Sequence, residues 1–91
     1  MKSIIDFLGE KLSQEINKEP MHAKGLLRLA IKDIVADKKP EELNYKEIVE
    51  ILKTGLSNRL KKIKIENPEK VTNEMVTFVT KNQSVITMIS I

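Results

Sequence analysis

Ninety-one residues, 41% of them hydrophobic and with a formal net charge of +3, set the scale of one small domain, near the lower end of what an apolar core alone holds together. The absence of cysteine excludes disulfides, thiol chemistry and every cysteine-based zinc site, and with only Phe7, Tyr45 and Phe78 as aromatics the core must be aliphatic. Apolar runs fall far short of the roughly 20 residues that span a bilayer, so a Lys-rich, cysteine-free chain without a signal peptide is expected to be soluble and cytoplasmic, with no membrane partner.

The elements follow in order along the chain. Ser3 is a suitable N-cap for a first helix, in which Ile4, Ile5, Leu8, Leu12 and Ile16 recur at helical spacing as far as about Asn17. Pro20 suits the first turn of a second helix. There Ala23, Leu26, Leu27, Ala30, Ile31, Ile34 and Val35 form a broad apolar face, opposite Gly25, Arg28 and Lys32. Asp37-Lys38-Lys39-Pro40 ends that pattern, because proline cannot continue a helix interior and restricts the residue before it.

The third helix has the clearest start. Asn44 is a preferred N-cap, Glu47 stands three residues on, where a capping box needs it, and Leu43 and Ile48 bracket them as a hydrophobic staple. Tyr45, Ile48, Val49, Leu52, Leu56, Leu60 and Ile63 then fall in one stripe. Gly55 is the weak point of this helix, costing about 1 kcal/mol against alanine. It either permits close packing or divides the helix in two.

Asn67-Pro68-Glu69 opens a fourth helix along which Val71, Met75, Phe78, Asn82, Val85 and Ile89 recur in steps of four and three. The competing pattern is a β-hairpin. Residues 75–80 and 85–91 are rich in Val, Ile and Thr, and Asn82-Gln83 could turn between them, although no glycine eases that turn. The expected fold is therefore an all-α, compact four-helix bundle-like single domain over residues 1–91. The alternative is an α+β, winged-helix-like domain with a C-terminal hairpin, using Thr54-Gly55-Leu56-Ser57 as the turn of a helix-turn-helix.

The chemistry on offer is thin. His22 is the sole histidine, and no nucleophile, base and orienting group assemble around it. Glu41-Glu42 precedes a helix start, where acids meet the dipole favourably, and adjacent side chains diverge. One histidine with scattered acids gives no converging metal ligands, and three separated glycines give no phosphate-cradling loop. The expectation is no catalysis, no cofactor and no metal.

Two segments remain for function. Residues 1–45 carry eight basic and eight acidic side chains and residues 46–91 carry eight and five, so the whole excess lies in the second half. Lys53, Arg59, Lys61, Lys62 and Lys64 are the candidate surface for nucleic acid or an acidic partner. Basic residues in a last helical turn also answer the helix dipole without any partner. Arg59, at the edge of the apolar stripe, is placed to pair with an acid of a neighbouring helix or to grip a phosphate or carboxylate. Residues 82–91 have no charged side chain. Val85, Ile86, Met88, Ile89 and Ile91 are accordingly the candidate protein interface, facing a partner or a second copy, unless they pack within the same domain.

Ser3-Ile4-Ile5 with Leu8, Leu29-Ala30-Ile31-Lys32, and Leu43, Glu47, Ile51, Leu52 and Arg59 give residues 3–63 a pattern that resembles the N-terminal helical part of YqeY-type proteins, related to the tail of the aminoacyl-tRNA amidotransferase B subunit. The resemblance implies a non-catalytic helical module associated with tRNA or an amidotransferase-like complex. After Ile65 the chain departs from the family, which continues through a helical linker into a second small domain. The functional expectation is thus a non-catalytic helical interaction module that binds a protein partner or its own copy. The alternative is a small nucleic-acid-binding regulator, winged-helix-like or tRNA-associated.

Overall fold

The computed structural model describes residues 3–84. The first helix, α1 (Ile4–Ile16), starts where expected. The Asp6 N–H donates to Ser3 Oγ at 3.1 Å and the Ser3 N–H donates to the Asp6 carboxylate at 3.4 Å, a reciprocal capping box. Asn17, in the left-handed region at φ 55°, closes the helix. Three residues then lead into α2 (Pro20–Ile34), which packs against α1. Gly9 makes this approach close. A Cβ there would stand 2.5 Å from Cγ of Lys24, whose ammonium reaches Asp6 at 3.0 Å.

After α2 a single 3-10 turn, Pro40–Glu42, redirects the chain into Leu43 and Asn44. Pro40 sits at the first position of this turn, the place that tolerates a missing N–H. Asn44 then caps α3 (Tyr45–Glu50): its side chain accepts from the Glu47 N–H at 2.8 Å, and the Asn44 N–H donates to Glu47 at 3.0 Å. Leu43 and Ile48, the staple pair, are both buried. The other Glu47 oxygen takes Lys38 at 2.6 Å, fastening the incoming loop to the cap.

α3 does not stop at Gly55. It passes into a π-helical segment, Ile51–Leu56, and then into α4 (Ser57–Lys62), with Glu50, Ile51, Leu56 and Ser57 all right-handed helical. The three pieces are one helix. Ile48, Leu52, Leu56 and Leu60 are buried at steps of four, which in an α-helix overshoot by about 40° each. A π segment holds more residues per turn and takes up that drift. Gly55 explains its position too: a Cβ there would lie 2.8 Å from the Ala30 carbonyl oxygen and 3.1 Å from Ile34, so its bareness lets the helix press against the α2 backbone. Residues 54–57 therefore form no helix-turn-helix turn.

α4 ends at Lys62, and Lys64 adopts a left-handed φ of 58° while the Ile65 N–H bonds back to the Leu60 carbonyl. α5 (Pro68–Lys81) closes the bundle against α1, the π segment and α4. Val71, Met75 and Val79 are its buried apolar residues, and Thr72 is buried with them. Residues 75–80 are helical, so the hairpin and the winged-helix alternative built on it are overturned, and the described residues contain no strand. Val71, Met75 and Val79, four residues apart, share one face of the helix and all three lie in the core. Asn82 ends the helix instead of forming a seam within it, its amide donating to the Phe78 carbonyl at 2.7 Å. The described residues thus form an all-α fold of four helical rods around an aliphatic core.

Candidate functional site

The basic residues singled out in the sequence lie on the second half of the long helix. Arg59, Lys61 and Lys62 occupy the last turn of α4, with Lys64 directly after it, and Lys53 sits earlier, in the π segment. All four lysines are exposed. Arg59 differs from them. Its Nε and Nη2 donate to the two carboxylate oxygens of Asp33 on α2, both at 2.8 Å. Of the two roles its position allowed, the fork makes the inter-helix one, tying α4 to α2. This bidentate hydrogen bonding holds the Asp33 carboxyl below the usual carboxylate range and raises the Arg59 guanidinium, with the charge of Lys62 adding to the effect on Asp33. Val85, Ile86, Met88, Ile89 and Ile91 lie outside the described residues.

The aromatic residues gather at the other end of the molecule. Phe7 stacks on Phe78 with ring centroids 4.9 Å apart, Lys11 lies 5.6 Å above the Phe78 ring, and the Tyr45 hydroxyl shares a hydrogen bond with Thr80 at 2.8 Å. These contacts join α1, α3 and α5 and use up the aromatic surface. Tyr45 is half-buried with a wet hydroxyl, as its place in a first helical turn suggested.

A third surface is apolar and exposed. Met21, Leu29 and Ile63 are 83%, 42% and 39% exposed, the large hydrophobic residues that stand out among those described. Leu29 and Ile63 line a shallow groove between the outer face of α2 and the end of α4, with Gly25 and Leu26 beside them and His22, Arg28 and Lys32 at its edge. Spacing alone places Ile63 in the buried stripe. It is exposed because the helix ends one residue before it, and Ile63 turns out of helical geometry at ψ 10°. The available signal for the groove was Leu29, an apolar residue among the polar positions of α2 beside Gly25.

No family model, curated protein or solved structure matches this chain.

A small gap in the core is walled by residues of α1, α2, α3 and the π segment, Leu8, Leu27, Ile48 and Leu52 among them, with no polar group. Such a gap stays dry. Among the described residues no three His, Asp or Glu side chains stand together in a way that could hold a metal ion, and no helix is long and apolar enough to cross a membrane. His22 is exposed in the first turn of α2.

Proposed function

We propose that this protein is a non-catalytic helical interaction module that binds a protein partner or a second copy of itself. The observation that carries the reading is the groove at Leu29 and Ile63: two large apolar side chains, one on α2 and one just past the end of α4, stand open to water in the same hollow. Exposed apolar surface with a polar rim is the physical mark of a docking site for another chain. The test is the mass of the full chain in solution over a range of concentrations, compared with Leu29→Glu and Ile63→Glu. Self-association through the groove gives a mass above the monomer that both variants lower. A monomer directs the groove to a different protein.

The exposed Lys53, Lys61, Lys62 and Lys64 favour a second reading, nucleic-acid binding, and the likeness of residues 3–63 to YqeY-type proteins supports its tRNA-associated form. Binding to duplex DNA or tRNA that weakens steeply with salt, on a slope flattened by replacing Arg59 and Lys62, would establish that reading. A flat titration against both removes it. Engagement of Arg59 by Asp33 already leaves this surface with lysines and no free guanidinium fork, a poorer grip on phosphate.

A further inference from the structure

Gly25 is the one feature of the groove that internal packing leaves unexplained. It stands in the interior of α2, where glycine is the poorest ordinary helix former. A Cβ built on it meets nothing within 4 Å, and its φ is not positive. Gly9 and Gly55, by contrast, each have a neighbour inside 3 Å. No residue of the described chain requires the missing side chain at position 25. Its effect is to bare the α2 backbone in the wall of the groove, beside Leu29 and in the same hollow as Ile63. Bare backbone in an exposed apolar groove serves close approach by something from outside.

Charge identifies the occupant. The groove edge carries Arg28 and Lys32 and no carboxylate. On the opposite wall Ile63 is flanked in sequence by the exposed Lys62 and Lys64. Asp33, the one acid of α2, is engaged by Arg59. A second copy docked symmetrically on this face would oppose one basic face, with Arg28 and Lys32 at its edge, to another of the same charge. The residues 82–91 bring no charged side chain to answer them. Resting on the interaction reading above, we infer that the groove at Gly25 takes an amphipathic helix of a partner protein, with apolar anchors one turn apart on Leu29 and Ile63 and carboxylates facing Arg28 and Lys32. A helix laid in an apolar groove presents its anchors at i, i+3 or i+4, and i+7.

Selection of a displayed random peptide library against the full chain tests this inference, followed by fluorescence anisotropy with the enriched peptides. The expected peptides combine apolar residues at helical spacing with flanking Asp or Glu. Their affinity should fall at least tenfold with Gly25→Gln, a variant that keeps or raises Tm, and with the exposed double variant Arg28→Glu/Lys32→Glu. Enriched peptides that are basic or uncharged, or that bind Gly25→Gln as well as the parent, overturn the inference while leaving an interaction module. A parent dimer that Gly25→Gln converts to monomer also overturns it, by making the occupant a second copy. No enrichment, together with salt-steep binding of duplex DNA or tRNA, brings down both the inference and the reading beneath it.

Discussion

The two faces of α2 have opposite relations to glycine. On the inner face, Gly55 of the π segment meets the Ala30 carbonyl at a distance no side chain could tolerate, and Leu27 and Ala30 are buried almost completely. On the outer face, Gly25 meets nothing and Leu29 stands in water. The same residue type thus marks tight internal packing in one place and unfilled surface in the other. Glycine position in a sequence says that something comes close, or that nothing does; only the surroundings tell which.

The largest effect should separate the two leucines. Leu27→Ala, at 1% exposure, is expected to cost about 3 kcal/mol, the range for a fully buried leucine. Leu29→Ala should change stability by less than about 0.5 kcal/mol. Urea denaturation of both variants measures the difference, and equal losses would erase the distinction between the faces. Next comes Gly55→Ala. Pressing a methyl against the Ala30 carbonyl should cost about 2 kcal/mol net of the gain in helix propensity, seen as a Tm lowered by roughly 10 °C. Gly25→Ala should have the opposite sign, stabilising by about 1 kcal/mol and raising Tm by about 4–8 °C.

The smallest effect belongs to the ion pair that joins α2 to α4. The Asp33 carboxyl is held low in the folded chain, chiefly by its hydrogen bonds from Arg59, and Asp6 and Glu47 are held low by Lys24 and Lys38 respectively. For groups whose pKa is depressed by folding, the contribution is complete above the unfolded carboxylate range of about 4 and disappears as pH falls through the lower folded values. Urea titrations between pH 7 and pH 5 should therefore agree, with weakening only below about pH 4. Asp33→Asn should reduce that acid sensitivity and leave the neutral-pH stability nearly unchanged, as exposed pairs contribute little.

Sequence periodicity carried much of this architecture. The Ser3 and Asn44 capping boxes, the Pro20 and Pro68 starts and the aliphatic stripes of α1, α2 and α5 are local features, and local physics decides them. What escaped was non-local. The π segment arises from the demand that Leu52, Leu56 and Leu60 all face α2 and α5, and that demand depends on neighbours distant in sequence. Gly55 offered close packing or a break, and the Ala30 carbonyl settled it. Ile63 fits the stripe by spacing alone, but the helix stops before reaching it. Arg59 was recognisable as an unusual cation, while its partner Asp33, 26 residues earlier, could not be chosen from several acids. The groove was the least legible element, because it combines Gly25 and Leu29 of one helix with a residue expelled from another.

The central claim is that α2 keeps its outer face bare for a partner at the expense of helix stability. Paired measurement of Tm and peptide affinity for Gly25→Gln tests it most directly, using the acidic amphipathic peptide recovered by selection. The expected result is a Tm equal to or above that of the parent and an affinity at least tenfold weaker. A lower Tm with unchanged affinity would contradict it, by making Gly25 a requirement of the fold.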